Sequence, residues 1–378
     1  MNYFPTGYPY RNSTTKVITA TTRIISTTTT TSKPNALLVL SNATNPYEQF
    51  DETIFTVFTV LYWLLCVIGF IGNALVIHII AKNRKMQTIT NIHICNLAII
   101  DALIMLGLPL HLNKEWTYGY VMCKSYVSLT AITDFAGCLA IASLSLDRCF
   151  AICFPFAAVN YRTKFTAICF CATVWIISIL FSAPVIYWSD LRVLNPNIST
   201  EETCNTFWGE TDYMSGQEAF FLYTHILGFC FPFVVIVASY VMVLLKIRKT
   251  TFDQSARRVQ KVTKFVAIVI SVYLICWSPY WLIGIIYAIS SIERSGPMLL
   301  PFITAEYISY MYSALNPLLY ASVNPNFKVN LIKVFVCLLP RNVKVQSEDS
   351  DYGTDGGSMK MTVKKRRKAY EDQTFPEL

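Results

Sequence analysis

The sequence predicts an all-α membrane protein: a seven-transmembrane helix bundle with a short amphipathic eighth helix. The chain is 54% hydrophobic and only 14% charged, whereas soluble proteins have about a quarter charged residues. The apolar residues are concentrated in seven stretches, each long enough to cross a hydrocarbon core of about 30 Å as an α-helix. Because backbone groups in lipid must be hydrogen-bonded within their own segment, each stretch is expected to be helical.

Four regions are expected along the chain. Residues 1–53 are polar and rich in threonine, so they are predicted to form a disordered extracellular tail. Residues 54–322 form the seven-helix domain, residues 323–339 the amphipathic helix and residues 340–378 a disordered cytoplasmic tail. The predicted transmembrane helices are 54–81, 88–112, 120–150, 165–188, 217–246, 258–288 and 299–321.

The connections between the helices predict the orientation of the chain. Basic residues are concentrated at 82–85, 161–164 and 246–264, and the opposite connections contain acids. The positive-inside rule places the basic connections in the cytoplasm and the N-terminus outside, in the plasma membrane. N-glycosylation sequons agree with this topology, because all of them fall in segments predicted to lie outside; they begin at Asn12, Asn42 and Asn197.

The segment after the seventh helix has the pattern of an interfacial helix. Apolar residues alternate with Lys328 and Lys333 over residues 326–339, a length too short to span a membrane. Cys337 at its end is a candidate for palmitoylation, with an unmodified thiol as the alternative. The later tail contains an acidic serine cluster at 347–351, a candidate for phosphorylation, and a basic run that is expected to contact membrane lipid.

Composition argues against several classes of protein. The net charge of +8 comes from residues clustered in loops, which fits membrane topology and not nucleic-acid binding. The 12 cysteines contain no paired CxxC motif, so no metal site is expected. The 4 histidines are scattered and the buried acids have no catalytic spacing, so neither enzymatic activity nor a cofactor is expected. No repeat relates the two halves, which argues against a transporter.

Polar residues inside the helices indicate where function lies. A carboxylate at bilayer depth, such as Asp101, is costly and is by default a candidate functional residue. Asn73 and Asn316 lie at similar depth, so the three side chains are expected to share one buried polar network. Pro317 frees a backbone carbonyl and allows a kink.

The order and spacing of these residues resemble the rhodopsin-like (class A) G-protein-coupled receptors. The residues that carry the resemblance are Gly72-Asn73, the run 97–101, Asp147-Arg148, Trp175, Pro232, Cys276-Trp277-Ser278-Pro279 and Asn316-Pro317-Leu318-Leu319-Tyr320. Residues 96–109, 203–210 and 223–232 are similar to the somatostatin receptors, with opioid and allatostatin C receptors sharing much of the pattern.

The resemblance implies a disulfide and an activation switch. It pairs Cys123 with Cys204, both on the oxidising side. Arg148 pairs with Asp147 at rest and turns to the G protein on activation, Trp277 is a pivot beneath the ligand, and Pro279 supplies a kink. Asp101, Asn73, Asn316, Pro317 and Tyr320 belong to the same switch. Cys149 replaces the tyrosine usual after the arginine, which removes a hydroxyl and an aromatic surface.

The ligand pocket departs from the family pattern. The position of the usual amine-binding aspartate is Thr130, and an aspartate appears one helical turn deeper at Asp134, on the same face. Glu306 lies at a level that usually lines the pocket. These acids predict a basic group on the ligand. The alternative is that Asp134 is bound by polar neighbours and does not contact the ligand. Candidates for the pocket wall are Trp277, Tyr280, Trp281, His225 and Gln217.

Together these features and the resemblance imply a receptor that binds an extracellular, basic neuropeptide and activates a heterotrimeric G protein. The short, basic connection at 246–264 resembles that of receptors coupled to the inhibitory Gi/o class. Arrestin is a further expected partner, through the phosphorylated tail. The alternative is a class A receptor for a small amine or chemosensory ligand. In the family, the acid that matches Asp101 shares a sodium ion with a small hydroxyl residue and an asparagine of two other helices. Those positions are Gly137 and Tyr312 here, with Ser313 adjacent, so we assign no sodium site.

Overall fold

The computed structural model describes residues 46–111, 116–193, 202–208, 216–249, 254–290, 299–323, 325–338, 343–346 and 362–365. The predicted glycosylation sites Asn12, Asn42 and Asn197, and the serine cluster at 347–351, lie outside the described residues. The side chain of Cys337 is not among those described either, so its palmitoylation stays a prediction.

Long helices account for most of the described chain. In order they are α1 (Pro46–Lys82), α2 (Ile89–His111), α3 (Gly119–Cys153), α4 (Pro155–Tyr161), α5 (Lys164–Trp188), α6 (Gly216–His225), α7 (Phe231–Lys249), α8 (Gln254–Ser290), α9 (Leu299–Val323) and α10 (Pro325–Leu338). A 3₁₀ turn at Arg84–Met86 separates α1 from α2, and a π-helical turn at Ile226–Cys230 joins α6 to α7.

Six helical segments among the described residues are long and apolar enough to cross a membrane: α1, α2, α3, α5, the joined α6–α7 and α8. The other long helix, α9, has 25 residues and is therefore long enough to span as well. It is less apolar because it contains Glu306, Asn316 and several tyrosines. These seven segments correspond to the seven stretches that the sequence predicts.

Packing places α3 at the centre of the bundle. It contacts α2, α5 and α7, while α9 contacts α1 and α8. In its most apolar window 67% of α3 is buried inside the protein, against 22% for α1. The large apolar side chains exposed on α1 and α5 are consistent with faces turned toward lipid. Residues of α3 are therefore the ones best placed to connect different parts of the bundle.

Two short antiparallel sheets lie outside the bundle. Strand β1 (Ser189–Val193) pairs with β2 (Glu202–Thr206), with Leu191 opposite Cys204. Strand β3 (Val343–Gln346) pairs with β4 (Thr362–Lys365) in the segment where the sequence predicts only a disordered tail. The β1–β2 hairpin follows directly from the end of α5, so it marks one end of the bundle, which we call the hairpin end.

The structure differs from the sequence prediction at three further places. Helix α1 begins at Pro46, inside the predicted tail, and proline is well suited to the first turn of a helix. The short helix α4 lies in a connection that was expected to be a loop, and it also begins with a proline, Pro155. The fifth predicted helix contains the π-helical turn just before Pro232. The structure has a helix at Pro325–Leu338, and its role as an amphipathic helix at the membrane surface stays a prediction.

Candidate functional site

A disulfide fastens the hairpin to the centre of the bundle. Cys123 in the second turn of α3 is bonded to Cys204 in β2, as predicted, and both residues are buried. The next residue, Lys124, donates from Nζ to the Ile186 carbonyl at 2.8 Å and to the Tyr187 carbonyl at 3.3 Å. Lys124 thus supplies hydrogen-bond donors to the C-terminal carbonyls of α5 and holds the start of the hairpin in place.

The hairpin also contains an ion pair. Arg192 Nε donates to Asp190 Oδ2 at 2.9 Å, and its guanidinium lies 4.6 Å from the centre of the Phe207 ring. The hydrogen bond from Arg192 holds the pKa of the Asp190 carboxyl below its ordinary value. Because both side chains are substantially exposed, the pair orients the hairpin surface more than it stabilises the fold.

A crevice opens between α2, α3 and α9. Its lining residues are Leu103, Ile104, Gly107, Leu108, Leu129, Thr130, Thr133, Asp134 and Tyr310. Asp134 is buried, with 4% of its surface exposed. The structure therefore brings two predicted ligand residues, Thr130 and Asp134, to one cavity, as their spacing of one helical turn indicated.

Glu306 lies in a cluster of tyrosines beside this crevice. It interacts electrostatically with Tyr62 of α1 and with Tyr310 of α9. The Tyr62 ring is 6.1 Å from the Tyr310 ring and 5.3 Å from the Tyr307 ring. Glu306 itself does not line the crevice. Tyr310 touches both regions, and sequence analysis missed it although it lies one helical turn after Glu306.

The aromatic residues predicted for the pocket wall form a continuous row of edge-to-face contacts between the α6–α7 span and α8. Ring centres are separated by 6.2 Å for Trp277 and Tyr280, 5.4 Å for Tyr280 and Trp281, and 5.0 Å for Trp281 and His225. All four residues are buried, so they do not face lipid. Gln217 lies in α6, and its side chain is outside the described residues.

The predicted polar network is formed in part. Asn316 donates from Nδ2 to Asp101 Oδ2 at 2.7 Å, which joins α9 to α2. Asn73 instead donates to the carbonyls of Gly69 and Ser313, each at 2.9 Å, which joins α1 to α9. Asn73 and Asp101 are therefore linked through α9 and not by a described bond between them. All three side chains are almost fully buried.

At the end of α3 opposite the hairpin, two arginines bind one carboxylate. Arg148 Nε donates to Asp147 Oδ2 at 3.0 Å. Arg162, just after α4, donates from Nε to Asp147 Oδ1 at 2.7 Å and from Nη2 to Oδ2 at 3.1 Å. Arg162 Nη2 also donates to Thr90 of α2 at 3.3 Å. Sequence analysis noted the basic connection that contains Arg162 but did not identify its partner.

Cys149 occupies the position where the resemblance expects a tyrosine. The thiol is buried, and its sulfur lies 3.9 Å from the sulfur of Cys153, one turn further along α3. The two sulfurs therefore contact each other inside the same helix. Among the described residues, no group of three or more histidines, cysteines or acids could hold a metal ion.

The remaining switch residues lie where helices approach closely. Pro279 and Pro317 are inside α8 and α9. A methyl group added at Gly72 of α1 would lie 2.9 Å from Pro317 Cγ, so only glycine fits there without a shift. Tyr320 is buried, with its ring 5.8 Å from that of Phe265. These contacts tie α1, α8 and α9 together at the level of the predicted switch.

Comparison with known proteins gives a consistent result. The sequence pattern of the family described as 7 transmembrane receptor (rhodopsin family) matches residues 72–320. The chain is 31% identical to somatostatin receptor type 2 of Mus musculus over 336 residues, which cover 86% of this chain and 89% of that receptor. It is 32% identical to somatostatin receptor type 5 of Bos taurus over 299 residues, covering 77% and 79%. It is 29% identical to somatostatin receptor type 4 of Rattus norvegicus over 304 residues.

Proposed function

The chain belongs to the rhodopsin family of seven-transmembrane receptors, and we propose that it is a G-protein-coupled receptor for an extracellular peptide with a basic group. Membership of this family also makes it a multi-pass plasma membrane protein and a receptor, not an enzyme. The observation that carries the proposal is the similarity to somatostatin receptors over most of the chain, together with two buried acids near the hairpin end.

The hairpin end is the ligand entrance in this proposal. The basic connections at 82–85, 161–164 and 246–264 face the cytoplasm, so the disulfide and the hairpin face outward. The hairpin is held to α3 by the disulfide and follows directly from α5, so its outer surface is where a peptide first meets the receptor. A basic side chain of the peptide reaches Asp134 or Glu306, because a buried carboxylate and a cation gain most from each other where water is excluded.

A small amine or a chemosensory compound is the second candidate ligand. Asp134 is the observation in its favour, since one carboxylate in a small cavity suffices for an amine. The peptide assignment is preferred because the relatives with 31% to 32% identity are named as somatostatin receptors. Activation by amines alone, with no response to peptides, would establish this second candidate.

Signalling takes place at the opposite end of the bundle in this proposal, where Asp147 and Arg148 lie. A ligand that binds one of two states better shifts the population toward that state. On activation Arg148 leaves Asp147 and contacts a heterotrimeric G protein of the Gi/o class. Arrestin binds the phosphorylated tail, while α10 and a palmitate on Cys337 lie against membrane lipid. Trp277, Pro279 and the Asp101–Asn316 contact form the connection between the two ends.

A charge-pairing experiment tests the ligand pocket. In a peptide that activates the wild-type chain, each basic residue is replaced in turn by an uncharged isostere. The same series is assayed on the Asp134→Asn and Glu306→Gln variants at equal surface expression. For the residue that meets a carboxylate, we expect a potency loss of about 10- to 100-fold on the wild type. That loss should disappear on one variant. Full losses on both variants would contradict the proposed pocket.

A further inference from the structure

The last turn of α3 carries two thiols on one face of the helix, directly after the arginine that contacts the G protein in the proposed function. We propose that Cys149 and Cys153 form a binding site for one soft divalent metal ion, represented by Zn²⁺. The site goes beyond the receptor function, because it adds control by a metal ion from the cytoplasmic side. Its CxxxC spacing differs from the CxxC motifs that indicate structural zinc sites, so the motif search on the sequence passes over it.

The distance between the two sulfurs fits a shared metal ion. Residues four apart in a helix are neighbours on its surface, and the sulfurs of Cys149 and Cys153 are 3.9 Å apart. At a Zn–S distance of about 2.3 Å and a tetrahedral angle, two sulfurs on one ion lie about 3.8 Å apart. A disulfide instead needs sulfurs about 2 Å apart, so oxidation would require this helical turn to deform. The undistorted turn is therefore suited to chelation.

The chemistry of the pair also suits a soft ion. Thiolates are the side-chain ligands that select soft metal ions over Mg²⁺ or Ca²⁺. On binding, each thiol loses its proton, so one Zn²⁺ replaces two protons and forms two Zn–S bonds. The product has the same net charge as the two free thiols. Metal binding therefore places no additional net charge at this partly buried position.

The site is open on one side and has only two protein ligands. Cys149 is buried, with 4% of its surface exposed, whereas Cys153 is partly exposed and gives the ion its route of entry. No third histidine, cysteine or acid joins the pair in the part of the chain that the structure describes. Water then completes the coordination. We expect a dissociation constant on the order of 1 μM, weaker than that of a structural site with four protein ligands.

Metal binding at this turn is expected to lower G-protein activation. Cys149 directly follows Arg148, which bonds to Asp147 in the described state, and Cys153 is the last residue of α3. A bound ion fixes this turn and adds water ligands beside Arg148, in the region that meets the G protein in the proposed function. This consequence rests on the proposed function, whereas the binding site itself does not.

Cobalt spectroscopy tests the site without a peptide or a G protein. The full chain is purified into lipid nanodiscs, kept reduced with a phosphine and titrated with Co²⁺, which takes the place of Zn²⁺ in tetrahedral sites. Bonding to thiolates produces a sulfur-to-cobalt charge-transfer band, and Zn²⁺ added afterwards displaces the cobalt. The variants Cys149→Ser, Cys153→Ser and Cys149→Tyr are compared with the wild type, and the last of these restores the residue that the resemblance expects.

We expect a band from one cobalt ion per wild-type chain and an affinity at least about tenfold lower in each of these variants. Cys169→Ser, at an exposed cysteine of α5, is the first control and should match the wild type. The second control combines Cys153→Ser with Ala151→Cys, which keeps the number of thiols but turns one away from Cys149, and it should bind as weakly as Cys153→Ser. The absence of a wild-type band, or equal bands in the wild type and Cys153→Ser, would overturn the site.

Nucleotide exchange on a purified G protein tests the consequence for signalling. The receptor is activated with a peptide identified in the signalling assay, and the rate is measured with and without Zn²⁺. At ten times the dissociation constant about 90% of the sites are occupied, so we expect the wild-type rate to fall about tenfold and to recover with a chelator. The rate of Cys153→Ser should be the same with and without Zn²⁺. Cobalt binding with an unchanged wild-type rate would contradict the link to signalling and leave the site, while a chain that binds cobalt but answers no peptide would contradict only the proposed function.

Discussion

Asp147 is the residue whose contacts set the resting state in this account. Its carboxylate is bound on one side by Arg148 of the same helix and on the other by Arg162 of the following connection. The Asp147 side chain is only 8% exposed, so these hydrogen bonds are shielded from water. Because a buried carboxylate is costly without partners, the bonds from both arginines hold the end of α3 to the following connection in the described state.

Removal of Arg162 is expected to raise signalling in the absence of ligand. Arg162→Ala removes the bonds to Asp147 and Thr90 and so weakens the contact between α4, α3 and α2. A loss of about 1 kcal/mol from the resting state would raise the active population about fivefold. The measurement is ligand-independent G-protein activation at matched surface expression. Lys164→Ala, an exposed basic residue of the same connection, is the control and should match the wild type. Equal basal activity of the two variants would contradict a role for Arg162.

Gly72 is a position where a side chain does not fit without a shift of the neighbouring helix. Gly72→Ala places a methyl group 2.9 Å from the rigid ring of Pro317, so α1 or α9 must shift. We expect a loss of about 1–3 kcal/mol of stability, seen as a lower melting temperature of the detergent-solubilised protein. Gly107→Ala, which meets only ordinary contacts, is the control. Equal melting temperatures for the two variants would show that the α1–α9 contact is looser than described.

Residue roles could be predicted from the sequence where they depend on spacing within one helix. The position of Asp134 one turn after Thr130 predicted their shared face, and both line the crevice. Contacts between segments could not be read in this way. The bonds of Arg162 to Asp147 and Thr90 join three separate segments, and the surroundings of Tyr310 depend on how α9 packs against α1 and α2.

At the scale of elements, the transmembrane helices were predicted well and the connecting structures were not. A long apolar stretch in lipid has no alternative to a helix, so length and composition suffice. Helix α4, the β1–β2 hairpin and the π-helical turn are short, and nothing in their local pattern distinguishes them from loops or ordinary helix. The hairpin is defined by its register and by the disulfide to α3, both of which are tertiary features.

The two cysteines of the disulfide are expected to contribute to stability as one unit. Cys123→Ser and Cys204→Ser should each release the hairpin from α3, with a stability loss of about 2–4 kcal/mol and lower surface expression. The double variant should lose no more than either single variant, because each substitution already breaks the same bond. Thermal unfolding and surface labelling provide the measurements. Cys169→Ser, at an exposed free cysteine of α5, is the control. Wild-type stability of either single variant would contradict this expectation.

At the scale of the whole molecule, the two ends of the bundle are joined by buried polar contacts. Asp134 and the crevice lie toward the hairpin end, and Asp147 lies at the opposite end of the same central helix. Between them, Asp101 binds Asn316, and Asn73 binds the Ser313 carbonyl. Helix α9 takes part in all of these central contacts, which accounts for the polar residues within it. A change at the crevice can therefore reach the G-protein end through α3 and α9.

The most direct test of this account is G-protein activation in cells that express the full chain. The cells are challenged with somatostatin-like and allatostatin C-like cyclic peptides, a broader neuropeptide library and a library of small amines, with inhibition of cAMP formation and calcium as readouts. We predict a potent response to a basic peptide that pertussis toxin abolishes and that Arg148→Ala lacks at equal surface expression. Silence toward every peptide with confirmed surface expression, or a response to small amines alone, would contradict the assignment as a peptide receptor.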